Sequence, residues 1–360
     1  MAKFAADQTI RYGIIGAGMM GGEHMLVLEH VEGAEVVAFA DPVATSLEWG
    51  ALCAPNADPM TDYRDLLRRD DIDAIVVSTP NFTHIDVLAD ALETDLAVLV
   101  EKPMCTTVDD CRTVVDRVRT RDALTWVGLQ YRYMPTIAAL LDQLDAGSCG
   151  ETKMVSIREH RFPFLQKVGD WNRFTRNTGG TLVEKCCHFF DLMRRAAGAN
   201  PIRVYGSGGQ DVNHLDEFYN GERSDILDNA FVIIDFANGV RGALELSMFA
   251  EGGRYEQEIT ITGSRGKLEA TVPGNHIWFG PRDRSGPHRI ESPMHPDVPH
   301  PDFHQGASYI EHVQFGECLR AGATPIVTVE DGMWAVAMGA AAHRSIDEQR
   351  PVHLTEFGLG

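Results

Sequence analysis

Residues 10–21, IRYGIIGAGMMG, form a short apolar run that ends in Gly16-Ala17-Gly18-Met19-Met20-Gly21, and GEHMLVLEH (22–30) follows with helical periodicity. The order is strand, glycine turn, helix. A second apolar run, AEVVAFAD (34–41), ends at Asp41. Each glycine has a separate task in such a turn: Gly16 permits the tight reversal, Gly18 lets the backbone approach a pyrophosphate, and Gly21 lets helix and strand pack closely. The pyrophosphate then rests on the positive N-terminus of the helix. Asp41 is placed to accept hydrogen bonds from adenosine ribose hydroxyls, and its charge repels a 2′-phosphate, so NAD is expected rather than NADP.

Beyond this turn, YRDLLRR (63–69) reads as a helix, DAIVVST (73–79) as a strand, THIDVLADALE (83–93) as a helix and LAVLVEKP (96–103) as a strand. A helix over Thr107–Arg119 and the strand LTWVGLQY (124–131) complete the alternation. Strands separated by helical crossovers imply a parallel, doubly wound Rossmann sheet with ligands at the C-terminal ends of its strands. Cofactor contacts are therefore expected from Gly16, Gly18, Met19, Met20 and Gly21 in the turn, from Asp41, and from the strand-end groups Ser78, Thr79, Pro80, Asn81, His84, Glu101 and Lys102.

After Arg132 the pattern changes. An amphipathic helix, MPTIAALLDQLDAG (134–147), precedes the strand-like runs 152–162, 201–209, 228–249, 255–271 and 275–282, which alternate or join at turns such as Ala237-Asn238-Gly239 and Gly263-Ser264-Arg265-Gly266. This predicts a large open sheet, mixed or antiparallel, with Gly179–Gly198 as a helix on one face: an α+β domain. The division expected is 1–133 and 134–360, with the C-terminal helices, near Ser308–Ala321 and Val329–Asp347, as candidates to pack back on the first domain. The uncovered sheet face predicts a homodimer or homotetramer. Residues 281–304 read as one long loop, a lid or subunit contact, whose four histidines match no ordered metal-ligand spacing.

The 360 residues exceed what one core usually organises, and a hydrophobic fraction of 44% with 23% charged residues is ordinary for a globular chain. No apolar run reaches bilayer length, no secretion signal is read at the start, and seven scattered cysteines argue against a disulfide framework, so a cytoplasmic protein is expected. A net charge of −20 disfavours nucleic acid as a partner. Against it, residues 151–195 hold nine Lys/Arg and five Asp/Glu, a local +4. That basic segment reads as an anion-binding region or as a set of solvated charges.

The pieces GIIGAGMMG (13–21), the Asp41 strand end, STPNFTH (78–84), EKP (101–103), GLQYRYMP (128–135), GGTLVEKCCHFFDLM (179–193) and 308–345 stand in an order that resembles the Gfo/Idh/MocA oxidoreductases. The resemblance runs nearly end to end. It implies an NAD-dependent enzyme that moves a hydride between nicotinamide and a secondary carbinol of a sugar or cyclitol. Lys102, His188 and Asp191 match the family signature, while Glu184 stands where Asp is usual and Cys186 where Gly is usual.

The residues themselves point the same way. On one straight helix Glu184 and His188 are four apart, and His188 and Asp191 three apart, so all share a stripe. Alcohol oxidation needs a base for the hydroxyl proton, and histidine titrates nearest neutrality, which makes His188 the expected base. Lys102 is expected to stabilise alkoxide character on the same oxygen, Glu184 to orient substrate or base. Adjacent Cys186 and Cys187 point about 100° apart on a helix and do not converge on a metal, so packing roles are expected.

Substrate contacts are expected from Tyr131 and Arg132 and from the basic segment: Arg158, Arg161, Lys167, Arg173, Arg176 and Lys185 for an anionic group, Trp171 and Asn172 for a sugar ring and its hydroxyls. The expected substrate is a sugar or cyclitol, carboxylated, sulfonated or phosphorylated in the sharper form of this reading. The alternative is a redox-neutral NAD-dependent glycosidase, acting for instance on a sulfoquinovoside-like glycoside, with Tyr131 or Tyr133 assisting.

Overall fold

The computed structural model describes residues 4, 5 and 8–360. It divides into two compact units, one of residues 1–133 with 296–333, the other of 134–295 with 334–360. The segment 296–333 thus lies with the first unit, although it follows the second in the chain.

The first unit holds six parallel strands: β1 (Ile10–Ile15), β2 (Ala34–Ala40), β3 (Asp58–Met60), β4 (Ala74–Val77), β5 (Ala97–Glu101) and β6 (Thr125–Gly128). Their order, β3-β2-β1-β4-β5-β6, reverses direction between β1 and β4. The central strands β4 and β5 are buried at every residue, as expected for apolar strands covered on both faces. The crossovers are α1 (Met19–Leu28), α2 (Ala44–Cys53), α3 (Tyr63–Leu67), α4 (His84–Ala91) and α5 (Val108–Val118). Thr107 caps α5 by accepting from the Asp110 backbone N–H at 3.1 Å, with Asp109 and Asp110 in the first turn where the helix dipole favours them. Strand order and helix placement put the crevice for a ligand at the C-terminal ends of β1 and β4.

The second unit begins with α6 (Pro135–Asp145) and β7 (Thr152–His160), then three short helices, α7 (Thr175–Thr178), α8 (Thr181–Glu184) and α9 (Cys187–Ala197). The sheet continues with β8 (Pro201–Gly209) and, after a separate hairpin of β9 (Phe218–Tyr219) and β10 (Glu222–Arg223), with β11 (Asn229–Phe236), β12 (Arg241–Ser247), β13 (Gln257–Gly263), β14 (Gly266–Val272), β15 (His276–Pro281), β16 (His288–Glu291) and β17 (Val352–His353). Its nine strands run β16-β15-β14-β13-β7-β12-β11-β8-β17. The pair β7–β12 is parallel and the rest antiparallel, so the sheet is mixed. Burial alternates along β11, β13 and β14, which gives the sheet one covered and one open face. Helix α10 (Ala307–Ala321) belongs to the first unit, and α11 (Val329–Glu348) starts there and continues into the second.

Two expectations are corrected. The Gly179–Gly198 helix is broken at Lys185–Cys186, between α8 and α9, where the Lys185 side chain is drawn toward β7. The 281–304 segment is not all loop: His288–Glu291 pairs antiparallel with β15, because a hairpin satisfies backbone groups that a long loop would leave to solvent.

Candidate functional site

The glycine turn separates into scaffold and cradle. Gly16 has φ +94°, and a Cβ there would meet the Ser78 backbone at 2.7 Å; a Cβ on Gly21 would stand 1.9 Å from the Gly16 carbonyl oxygen. Both are glycine because β1, β4 and α1 approach so closely. A Cβ on Gly18 would meet nothing within 4 Å, so this position opens onto space at the helix N-terminus. Asp41 closes the turn, accepting from the Ala17 N–H at 2.9 Å and from the Val43 N–H at 2.8 Å. The Ser78 hydroxyl donates to the Gly16 carbonyl at 2.8 Å. Asn81 is buried with an Nδ2 donor that no protein group accepts. An open cradle, a strand-end carboxylate and an orphaned donor at the neighbouring strand end fit a dinucleotide.

His84 belongs elsewhere. It is fully buried, with Nδ1 2.9 Å from the Pro103 carbonyl and Nε2 2.9 Å from the Thr79 carbonyl, and burial pushes its pKa down. It ties the β4 and β5 strand ends together rather than presenting a face to a cofactor. At the β5 end, Glu101 accepts from the Lys102 N–H at 3.0 Å through Oε2, which fixes the backbone that carries Lys102. Arg132, expected at the substrate, instead donates to the Ile326 carbonyl at 3.0 Å and lies 3.3 Å from Asp331. Tyr131 and Tyr133 are buried, Tyr131 beside the His304 ring and Tyr133 stacked on Trp126.

In the second unit the break between α8 and α9 falls between Glu184 and His188, both buried, with Asp191 buried one turn further on. The single stripe of a straight helix therefore does not describe them. At the break Lys185 is 2.8 Å from Glu159 on β7, whose other oxygen accepts from Gln257 Nε2 at 2.6 Å. Cys186 is fully buried, and burial, with the charge of Glu159, holds its thiol well above the ordinary range. It is a packing residue, as is buried Cys187, which donates to the Glu184 carbonyl at 3.5 Å.

The basic segment does not converge. Arg158 pairs with Glu258 and, by the alternation of β7, faces away from its buried neighbour Glu159. Arg173 is buried and pairs with Glu217 at 3.0 Å, Arg176 is exposed and pairs with Glu222, and Lys185 pairs with Glu159. Each was expected to meet an anionic substrate, and each meets a carboxylate of the protein instead. Arg161 stands 3.8 Å from Glu159 and stacks on Phe162. Asn172 is buried, donating to the Leu165 carbonyl at 2.9 Å, while Trp171 is half-buried and Lys167 lies at the start of the turn Val168–Arg173.

One supporting residue went unread in the sequence. His343 on α11 accepts from the Leu182 N–H at 3.1 Å, in the first turn of α8, and burial lowers its pKa to about 4. A Cβ on Gly180, at φ +89°, would stand 2.3 Å from its Nε2. Gly180 thus makes room for the ring that caps that helix. His343 lies 161 positions from Leu182, and no local pattern marks it.

An oxidoreductase-family profile for the NAD-binding Rossmann fold matches residues 10–129, and one for the C-terminal alpha/beta domain of the same family matches 142–354. The chain is 27% identical over 352 residues to the scyllo-inositol 2-dehydrogenase (NAD(+)) of Bacillus subtilis, covering 97% of both proteins. It is 23% identical over 383 residues to the 2,7-anhydro-N-acetylneuraminate hydratase of Mediterraneibacter gnavus, covering 97% of this chain and 98% of that protein. A levoglucosan dehydrogenase solved with NADH and levoglucosan shares the fold, with TM-score 0.83, 21% identity and coverage of 96% of this chain and 100% of that one. Among the described residues, no helix is long and apolar enough to cross a membrane, and no cluster of metal-ligating side chains is found.

Proposed function

The chain belongs to the Gfo/Idh/MocA family of NAD-dependent oxidoreductases, and on that premise we propose that it oxidises a secondary carbinol of a neutral, polyhydroxylated sugar or cyclitol. The observation that carries the substrate class is the pairing of Arg158, Arg173, Arg176 and Lys185, four of the six cations expected to meet an anion, with protein carboxylates. A scyllo-inositol dehydrogenase among the relatives supports a neutral polyol.

NAD, when bound, supplies the two-electron acceptor. Gly18, Met19 and Met20 would hold its phosphates in the turn that Gly16 and Gly21 shape, Asp41 its adenosine ribose, and Ser78, Thr79, Pro80 and Asn81 the part that reaches the β4 strand end. His188 takes the hydroxyl proton, Lys102 donates to the same oxygen and stabilises its developing charge, and Glu184 orients the substrate. The test is kcat/KM with NAD across inositols, neutral hexoses, uronates, sulfosugars and sugar phosphates. Preference for a neutral polyol supports the reading, and a preference for any acidic series overturns it.

A hydratase among the relatives favours a second reading, in which the same groups run a redox-neutral elimination. Product release with tightly held NAD and no net NADH would select it. The open sheet face supports self-association: Met154, Tyr205, Phe231, Ile233 and Trp278 are exposed there. A second copy covering it would appear as a dimer or tetramer by light scattering. Seven free, buried cysteines suit a reducing, cytoplasmic setting.

A further inference from the structure

Behind Lys102 lies a chain of buried groups that the proposed chemistry does not use. Glu101 accepts from His24 Nε2 at 3.1 Å through Oε1, while its Oε2 accepts from the Lys102 N–H. On the far side of the ring, His24 Nδ1 lies 2.8 Å from His312 Nε2 on α10, with the two rings edge to face. His24 and His312 are both buried, at 1% and 0% exposure, so no water completes the valences of either ring from bulk.

The hydrogens can be assigned. Glu101 is an acceptor, so His24 carries a hydrogen on Nε2, and in the neutral ring its Nδ1 is a lone pair. His312 must then donate from Nε2, and its Nδ1 is the bare nitrogen. That agrees with its surroundings: His312 Nδ1 is buried with no hydrogen-bond partner. The opposite direction would place an N–H there with nothing to accept it, and an orphaned buried donor is the costlier error. Burial also pushes the His312 pKa well down, which keeps the ring neutral. Burial raises the Glu101 carboxyl, but the hydrogen bond from His24 and the charge of Lys102 outweigh it and leave the group below its ordinary value.

We infer that His312 and His24 are positioning residues for Lys102, acting as a one-way chain of hydrogen bonds, His312 to His24 to Glu101, that locks the carboxylate holding the Lys102 backbone. The chain ends in the interior at His312, so it orients and does not deliver protons to solvent. Without the His312 donor, His24 can invert its tautomer and release Glu101, and Lys102 loses its fixed placement. Metal-ligating histidines show the same logic, where loss of the partner on the other ring nitrogen costs about 10–100-fold.

The inference rests on the assignment of Lys102 to the reacting oxygen. The first test does not. Long-range proton–nitrogen NMR on the full chain labelled with nitrogen-15 histidine should show His312 protonated at Nε2 and bare at Nδ1; the reverse tautomer overturns the chain. The second test compares His312→Leu, His312→Gln and Lys102→Ala in kcat for the fastest polyol and in Kd for NAD. His312→Leu should lower kcat by about 30-fold with NAD affinity held, and His312→Gln, which restores an N–H donor, should recover most of it. Wild-type kcat in His312→Leu, with Lys102→Ala inactive, overturns the positioning role alone. Wild-type kcat in Lys102→Ala overturns the assignment of Lys102 and the inference with it, whatever the tautomers.

Discussion

Lys185 Nζ stands 2.8 Å from Glu159 Oε1, with side chains only 5% and 0% exposed, at the point where the helix carrying His188 breaks. A cation so placed is a strut between β7 and the α8–α9 break. Removing one member of a buried pair strands the other charge, so Glu159→Ala should destabilise the protein by about 3–5 kcal/mol, read from urea unfolding. Lys185→Met with Glu159→Leu should recover much of that loss, because the uncompensated charge is gone. A loss under about 1 kcal/mol in Glu159→Ala would show the pair to be idle.

The glycine turn allows folding and cofactor binding to be separated. Gly18→Ala adds a methyl where nothing lies within 4 Å, so thermal stability should hold while NAD affinity falls at least about tenfold. Gly21→Ala should instead lower stability, since its Cβ would stand 1.9 Å from the Gly16 carbonyl oxygen. Calorimetric titration and thermal unfolding of the two variants distinguish the roles; equal loss of stability in both would contradict the division.

His343 makes stability depend on pH on the acid side. Its folded pKa of about 4 lies below the ordinary 6.5, so the unfolded chain binds more protons between those values. Stability from this group is complete above pH 6.5 and falls as the pH drops toward 4, by about 3 kcal/mol in all. His343→Gln, which keeps an acceptor for the Leu182 N–H, should flatten that limb in denaturation curves measured across the range.

Glu311 has the opposite sign. Burial, reinforced by the charge of Glu101, holds its carboxyl well above the ordinary value, while Trp126 Nε1 donates to it at 3.1 Å. The folded state keeps it protonated where the unfolded chain ionises, so this group opposes folding increasingly as the pH rises above 4.5. Glu311→Gln should therefore be at least as stable as the parent at neutral pH, with the gain growing toward alkaline pH. A destabilised Glu311→Gln would show the carboxyl to be charged in the fold.

The parallel sheet was legible because its signals are local: a glycine turn, apolar runs and helical periods, each complete within about 30 residues. The broken helix was not, since the pull on Lys185 comes from Glu159, which sits on another element. The basic segment misled for the same reason: the partners of Arg158, Arg173 and Arg176 are Glu258, Glu217 and Glu222, 100, 44 and 46 positions away. Strand alternation could have separated Arg158 from Glu159, because adjacent residues on a strand face opposite ways. His24 and His312, joined across 288 positions, carried no pattern at all.

The rate of NADH formation in wild type and His188→Ala decides whether His188 is the base for oxidation of a neutral polyol by NAD. The expected result is NADH accumulating with a neutral cyclitol or sugar, and a kcat at least about 100-fold lower in His188→Ala with NAD affinity unchanged. An unimpaired kcat in His188→Ala would contradict it.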